Sequence, residues 1–274
     1  MYYKHDLDYK YPERSDEHMI TVKHVRKINF DTSYHYLDKS FGFKFMRGIY
    51  WLLVNGIVFP LMRLSHGLKI YGKKNLKAHK AELKDGAITI SNHVFYWDYL
   101  AVLKAVRPHL AYFPAWKENL EGPCGKLIRL SGGIPVPTND IHAMHNFNLA
   151  MEEVLASGKW MHVFPEGSMW FFYPDIRPFK KAVFYYAVKF DKPIIPISMS
   201  FRKRRGFMRL FMKTPCVDLH IGEPIFPDKS LPVRDSAEKM QREAYHVMQV
   251  MNGINPCDPT YNTDQDIRNY HSTM

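Results

Sequence analysis

The sequence predicts an α/β fold in which a mixed, largely parallel β-sheet is flanked by helices. Short apolar runs of strand length alternate with longer segments whose apolar residues recur at helical spacing. Two of the strand-like runs end directly in polar turns that carry histidine or glutamate and glycine. With 274 residues and 46% hydrophobic content, the chain can bury one sizeable core, so we expect a single domain with attached segments.

Composition divides the chain into four segments. They are a polar arm (1–40), an apolar helical segment (41–68), the α/β domain (69–252) and a polar tail (253–274). The arm shows little periodicity, so we expect loose order and at most a short strand over Met19–Phe30. Pro256 and Pro259 argue against helix in the tail, which we expect to fray.

The apolar segment predicts contact with a membrane. Residues 41–64 are apolar and aromatic, but they contain Lys44 and Arg47, and Asn55, Gly56 and Pro60 interrupt them. The part without charged residues, 48–62, is 15 residues long. As a helix this part is about 22 Å long, short of the ~20 residues that a membrane span needs. Arg47 and Arg63 flank it as snorkelling anchors would. We therefore predict an amphipathic or re-entrant helix pair lying in one leaflet; a helix packed on the domain core is the alternative.

His93 and Asp98 form the first candidate site. Residues 87–90 read as a buried strand, and residues 96–106 carry apolar residues at helical spacing, so His93 lies in the connection. A histidine there can fold back over the first helical turn and hydrogen-bond Asp98, which would fix its tautomer and equip it as a general base. With 14 His in the chain, this spacing alone proves little. On a structural interpretation, Ser91 or Asn92 would simply cap the helix.

The second candidate site follows another strand. Residues 159–164 are strand-like and lead into Pro165-Glu166-Gly167-Ser168. If this strand is parallel to the strand before His93, both turns meet at one edge of the sheet, where open α/β sheets bind ligands. A surface turn without function is the alternative.

The rest of the chain continues the alternation of strands and helices. We predict strands near 110–113, 133–136, 193–200, 208–212 and 216–221, and helices near 119–130, 140–156, 178–190 and 234–252. Ser157-Gly158 provides a C-terminal stop for the helix near 140–156, and Asp191-Lys192-Pro193 ends the helix near 178–190.

The charge of the chain favours anionic partners. A net charge of +11 suits an acidic membrane surface or phosphorylated substrates. The densest basic cluster is Arg202-Lys203-Arg204-Arg205, followed by Arg209 and Lys213. No nucleic-acid recognition element accompanies it, so we expect no nucleic-acid partner. A solvated loop is one interpretation of the cluster, and contact with anionic headgroups is another.

Neither metal nor a bound cofactor is expected. Cys124, Cys216 and Cys257 are odd in number and widely spaced, so they suggest neither a disulfide framework nor a zinc site and favour a reducing, cytoplasmic setting. The histidines show no metal-ligand pairing, and no dinucleotide, P-loop or esterase motif occurs.

Taken together, these residues resemble the glycerolipid acyltransferase family with the HxxxxD motif, typified by 1-acylglycerol-3-phosphate O-acyltransferases. The resemblance covers about residues 70–225 in four ordered blocks: Asn92-His93 to Asp98, Gly132-Gly133-Ile134-Pro135-Val136, Phe164-Pro165-Glu166-Gly167-Ser168, and Pro193-Ile194-Ile195-Pro196-Ile197. Four blocks in this order and spacing are a more specific signal of the family than any single block would be.

The chain departs from the family at two positions. The second block usually ends in arginine, where this chain has Thr138, and the third usually carries arginine at the position of Met169. Those arginines are associated with the phosphate of the acceptor, which suits their bidentate geometry. Arg177 and Lys180, with Lys181 beside them, could supply the missing charge; a solvated basic helix start is the alternative.

The resemblance implies a reaction and a set of roles. His93 would act as general base with Asp98 orienting it, and Glu166 and Gly167 would position the acceptor together with Asn92 and Ser168. Backbone N–H groups of the His93 or Gly167 turn would hold the oxyanion.

The resemblance further implies substrates and a location. The acyl group would pass from acyl-CoA or acyl carrier protein to a lysoglycerophospholipid, foremost 1-acylglycerol-3-phosphate, giving phosphatidic acid. The protein would lie at the cytoplasmic face of a membrane, peripheral or monotopic. Two alternatives are a lipid-surface binding protein that has lost turnover and a thioester or ester hydrolase.

Overall fold

A seven-stranded sheet organises the protein. The structure is a computed structural model that describes residues 7–15, 17–138 and 140–253. The strands are β1 (Lys69–Tyr71), β2 (Ile88–Ser91), β3 (Ala111–Trp116), β4 (Gly133–Val136), β5 (Trp160–Val163), β6 (Ile194–Arg202) and β7 (Cys216–Ile221). They lie in the order β1-β7-β6-β2-β5-β3-β4. Every pair is parallel except β6 and β7, so the predicted mixed, largely parallel sheet is confirmed.

Helices cover both faces of this sheet. They are α1 (Phe41–Leu53), α2 (Phe59–Ser65), α3 (Lys73–Ala78), α4 (Asp98–Ala105), α5 (Lys117–Glu121), α6 (Gly125–Ser131), α7 (Ile141–Ala156), α8 (Ala182–Lys189) and α9 (Val233–Asn252). One core lies between the sheet and α1, α2 and α4, and the other lies beneath α7, α8 and α9. In α9, Met240, Ala244 and Met248 are buried at a spacing of four residues, which is the apolar stripe that a core-facing helix requires.

The apolar segment is one continuous helix, so the predicted helix pair is wrong. A π-helical turn over Val54–Val58 joins α1 to α2, and it lies just ahead of Pro60, whose missing N–H would otherwise disrupt the helix. This N-terminal helix, Phe41–Ser65, has 25 residues and by length and composition alone could cross a membrane. One side packs on the domain core, as the alternative interpretation held, while large apolar residues such as Leu52 and Leu64 remain exposed on the other side.

Three other differences from the predictions have local causes. The helix predicted near 119–130 is split into α5 and α6, because Pro123 forces Gly122 into an extended conformation. The strand predicted near 208–212 is a single 3₁₀ turn, Phe207–Leu210, which Gly206 introduces with a positive φ. Three-residue β1 and six-residue α3 were not predicted, because elements this short carry too little periodicity.

The described part of the arm packs against the domain although residues 7–15 and 17–39 form no helix or strand. The strand predicted near 19–30 is therefore absent from the described chain. Tyr11 stacks on Trp170 at 5.5 Å between ring centroids, and its hydroxyl donates to the carbonyl of Phe171. The indole of Trp170 in turn donates to the carbonyl of Glu17, so the arm is held by aromatic contacts. The tail beyond Gly253, with Pro256, Pro259 and Cys257, lies outside the described residues.

Candidate active site

The two predicted turns lie side by side at one edge of the sheet. Strands β2 and β5 pair in parallel, with Ile90 opposite Val163, so the chain leaves both strands at the same edge. The turns also touch directly, because the backbone N–H of His93 donates to Oε2 of Glu166 at 3.0 Å. The two strands are therefore parallel, as the convergence of the two turns requires.

His93 and Asp98 form a hydrogen-bonded pair. Nδ1 of His93 lies 2.6 Å from Oδ2 of Asp98, while the imidazole remains partly exposed and Asp98 is fully buried. The same carboxylate oxygen accepts the backbone N–H of Val94 at 2.9 Å, and Asp98 opens α4, where the helix dipole favours negative charge. A carboxylate held in this way keeps the Nδ1–H tautomer and leaves Nε2 of His93 to accept a proton.

Phe164 fixes the ring of His93 from one face. The two rings are nearly parallel, with centroids 3.9 Å apart, and Phe164 also makes a T-shaped contact with the buried ring of His162. Burial, and next the charge of nearby His93, lowers the pKa of His162 to about 3, so His162 stays neutral and hydrogen-bonds the hydroxyl of Thr89. The sequence indicates Phe164 only as part of a motif, and alternation along β5 does not reveal its stacking on His93.

Glu166 and Arg177 form a buried ion pair behind the turns. The side chains are 1% and 0% exposed, and Arg177 Nη2 lies 2.7 Å from Glu166 Oε2. Glu166 Oε1 also accepts the backbone N–H of Arg177 at 2.9 Å. Arg177 Nη1 donates to the hydroxyl of Ser168 at 2.7 Å and to the carbonyl of Ser15 at 2.6 Å. The structure therefore gathers three predicted site residues, Glu166, Ser168 and Arg177, but in its interior.

Gly167 and Lys180 lie at the outer surface of the second turn. Gly167 has φ +83°, and a Cβ added to it would lie 2.9 Å from Cε of Lys180. The turn therefore requires glycine for its conformation. Lys180 is exposed, unlike Arg177. Of these two predicted phosphate ligands, Lys180 is thus the one on the surface of the site.

Asn92 is a buried residue that extends the pairing of β2 with β6. Its amide nitrogen donates to the carbonyl of Met199 at 2.9 Å, and its amide oxygen accepts the N–H of the same residue at 2.8 Å. This pair of bonds fixes the chain immediately before His93.

The two positions that depart from the family pattern differ in environment. Thr138 is exposed, and Met169 is buried. Met169 therefore presents no surface group that could meet an acceptor phosphate.

The backbone donors expected to hold an oxyanion already have partners. The N–H of His93 donates to Glu166, and those of Val94 and Phe95 donate to Asp98. The N–H of Gly167 donates to the carbonyl of Phe164. A substrate oxygen would have to displace one of these bonds to use any of the four groups.

The arm also contributes to the surroundings of the site. The ring of His18 stacks on Trp116 with centroids 3.9 Å apart. Burial, and next the charge of His93, lowers the pKa of His18, which places His18 near the candidate base. The arm carries no periodic pattern that would have revealed this contact.

Over residues 7–15, 17–138 and 140–253, no group of three or more His, Cys, Asp or Glu side chains is arranged to hold a metal ion. Cys124 and Cys216 are free thiols, and Cys257 lies outside the described part of the chain.

Comparison with known proteins relates the chain to a family model and to solved structures. Residues 67–200 match the family model described as Acyltransferase. Among solved structures, the chain resembles the crystal structure of the 1-acyl-sn-glycerophosphate (LPA) acyltransferase PlsC from Thermotoga maritima, with a TM-score of 0.51 and 21% identity over 80% of this chain and 84% of that one. At this identity the likeness shows a shared fold. No curated protein matches the chain.

Proposed function

The chain belongs to the acyltransferase family, whose model spans residues 67–200, and we propose that it moves a fatty acyl group from an acyl thioester to a hydroxyl of a lysoglycerophospholipid. The contact that carries this proposal is the 2.6 Å bond between Nδ1 of His93 and Asp98 at the edge of the sheet. It orients a partly exposed imidazole whose Nε2 can take a proton from a substrate.

In the proposed reaction, Nε2 of His93 removes the proton of the acceptor hydroxyl while that oxygen attacks the thioester carbonyl. The tetrahedral intermediate then collapses, the carbon–sulfur bond breaks, and the imidazolium returns the proton to the leaving thiolate. Asp98 stays ionised throughout and stabilises the imidazolium. Phe164, stacked on the ring, limits its rotation, so the base is held in position before the substrate binds.

We propose 1-acylglycerol-3-phosphate as the acceptor, with phosphatidic acid as the product. One solved structure that shares this fold is named as an LPA acyltransferase, and the net charge of +11 favours an anionic acceptor. Lys180, exposed beside Gly167, is the cation that we assign to the phosphate. Arg177 is buried against Glu166, so its proposed part is to hold the turn.

We propose acyl-CoA or acyl carrier protein as the donor and the cytoplasmic face of a membrane as the location. The exposed apolar side of the N-terminal helix, Phe41–Ser65, supports peripheral or monotopic association with lipid, in which an amphipathic helix buries its apolar side in the interface.

The proposed function is tested by product identification with purified variants. Wild type, His93→Ala and Asp98→Ala are incubated with mixed lysolipids and mixed acyl thioesters, and the products are identified by mass spectrometry. His142→Ala, at an exposed position in α7, serves as the matched control. We expect acylated lysophosphatidic acid with wild type and the control, and a loss of about 10²–10⁴-fold in rate with the other two variants.

Three outcomes would contradict the proposal. Unchanged transfer in both variants would remove His93 from the mechanism. Release of free fatty acid at a rate independent of acceptor would identify a hydrolase. Vesicle binding without acyl transfer to any lysolipid would identify a lipid-binding protein.

A further inference from the structure

The segment after β6 is unusually basic and apolar at the same time. We call residues 203–213 the basic–aromatic loop. Its exposed cations are Lys203, Arg205, Arg209 and Lys213. Phe207, Leu210 and Phe211 are 71%, 74% and 69% exposed, and the loop sequence contains no Asp or Glu. Large apolar side chains that protrude beside cations are costly in water and mark a contact surface.

The structure divides the basic run of the sequence into anchors and outward-facing cations. Arg202 pairs with Asp218 at 2.9 Å. Arg204 is buried and donates to the carbonyl of Ser65 at 2.6 Å and to that of Thr214 at 2.9 Å. These two arginines hold the loop in place. Lys203, which lies between them, and Arg205, which follows Arg204, are exposed.

The loop leaves the same edge of the sheet as the candidate active site. Strand β6 runs parallel to β2, with Ser91 opposite Ile197, and then continues to Arg202. At about 3.3 Å per residue, the loop therefore begins roughly 20 Å beyond the end of β2, on the side to which the His93 turn belongs.

The loop also adjoins the exposed apolar side of the N-terminal helix. The bond from Arg204 to Ser65 places the loop beside the last turn of that helix, where Leu61 and Leu64 are exposed. The basic–aromatic loop and the last turn of the N-terminal helix thus present exposed apolar side chains next to one another. Of the two, only the loop carries a cluster of exposed cations.

We propose that the basic–aromatic loop docks on an anionic lipid membrane and turns the edge that carries His93 towards it. Its four exposed cations would meet acidic headgroups, and its protruding apolar side chains would enter the interface beside the N-terminal helix. The inference rests on the proposed function in one respect, since a lipid acceptor gives this edge a reason to face a membrane. A nucleic acid would satisfy the cations but would leave the neighbouring aliphatic surface of the helix uncovered.

A charge-matched pair of variants tests this proposal. The loop variant carries Lys203→Gln, Arg205→Gln, Arg209→Gln and Lys213→Gln. The control variant carries Lys74→Gln, Lys77→Gln, Lys80→Gln and Lys84→Gln, all at exposed positions. These lysines lie between the end of β1 and the start of β2. Since β1 runs in the opposite direction to β6 and β2, they lie at the edge of the sheet opposite the loop. Both lose the same charge. The full chain is partitioned onto vesicles of phosphatidylcholine alone or mixed with phosphatidylglycerol, at low and high salt.

We expect the loop variant to lose its preference for anionic vesicles. Each basic residue near such a surface contributes about a fivefold gain in partitioning, so losing four should weaken binding by at least about tenfold even with partial screening. The control variant should change by less than about twofold. A second variant, Phe207→Ser with Phe211→Ser, should reduce binding to both vesicle types, because it removes insertion and not charge.

Equal binding by the loop and control variants would overturn the proposal. So would a loop variant that keeps its vesicle binding but loses binding to a DNA or RNA oligonucleotide. Acyl transfer is measured separately in detergent micelles, where the loop variant should match wild type because it alters no residue of the site. If wild type transfers no acyl group but the loop variant loses vesicle binding, the proposed function fails and this inference stands.

Discussion

Replacement of Glu166 by glutamine separates two roles for this residue. The resemblance to the family assigns Glu166 to the hydroxyls of the acceptor, whereas the structure places its side chain in the interior, bound to Arg177 and to the N–H of His93. Glu166→Gln keeps the size of the side chain and removes its charge. A structural role predicts loss of stability, and a binding role predicts loss of affinity for the acceptor.

The size of the expected effect follows from burial and hydrogen bonding. Both members of the pair are at most 1% exposed, and removal of one partner leaves the charge of Arg177 uncompensated, which costs about 3–5 kcal/mol in a buried pair. The glutamine amide also turns one carboxylate oxygen into a donor that faces an N–H group. Since whole domains are stable by only about 5–15 kcal/mol, the variant should unfold at a much lower urea concentration.

A double-mutant cycle isolates the contribution of the pair. The free energy of unfolding in urea is measured for wild type, Glu166→Gln, Arg177→Met and the double variant, and the double variant should lose less than the sum of the single losses by about 2–3 kcal/mol. Glu238→Gln is the matched control, because Glu238 pairs at the surface with Arg234 and Lys181 and is not buried. Its loss should stay below about 1 kcal/mol.

Kinetics on the same variants decide between the two roles. If Glu166 holds the turns together, KM for the acceptor should change little in the folded variant, while kcat falls because the backbone of His93 shifts. A Glu166→Gln protein with wild-type stability and an acceptor KM raised more than about tenfold would refute the structural role and restore the binding role.

Three further predictions concern single positions. The pKa of His162 is about 3 in the folded protein and near 6.5 in the unfolded chain. The free energy of unfolding therefore falls as the pH is lowered, by about 2 kcal/mol between pH 7 and pH 5. In urea unfolding, His162→Gln should lose correspondingly less stability than wild type over this range. Gly167→Ala should lower the free energy of unfolding by about 1–2 kcal/mol, because φ +83° strains any residue with a Cβ, and an unchanged value would show that the turn relaxes. Asn92→Ala leaves the N–H and the carbonyl of Met199 without their side-chain partner, so the free energy of unfolding in urea should fall by about 1–3 kcal/mol. The acceptor KM should not change; a raised KM would show that Asn92 binds substrate.

Much of the fold could be predicted because its elements have strong periodic patterns. Strand β2 contains two isoleucines, is buried throughout and follows the turn residues Asp85-Gly86, and α9 carries its buried residues four apart over twenty residues. Elements without such patterns were missed or misassigned. Strand β1 has three residues, and the residues predicted as a strand near 208–212 form an exposed 3₁₀ turn that finds no neighbouring strand in the described chain.

The site was predicted unevenly, for a physical reason. The contact between His93 and Asp98 depends on neighbours five residues apart at the start of a helix, so local geometry was enough to anticipate it. The ion pair of Glu166 with Arg177, the stacking of Phe164 on His93 and the contact of His18 with Trp116 depend on how separate elements pack. A motif shows that a polar residue is needed, but not whether its partner is a substrate or another part of the protein.

The burial of Arg177 has a consequence for the choice of acceptor. Because Glu166 and Arg177 cancel each other's charge inside the protein, neither contributes net charge to the surface of the site, and Met169 is buried where the resemblance leads one to expect an arginine. The phosphate that we propose must then be met chiefly by a lysine such as Lys180. An ammonium group attracts phosphate as a point charge, without the two parallel hydrogen bonds that a guanidinium group would supply. We therefore expect acceptor headgroups to be discriminated less by the geometry of the phosphate than by charge and by the shape of the rest of the headgroup.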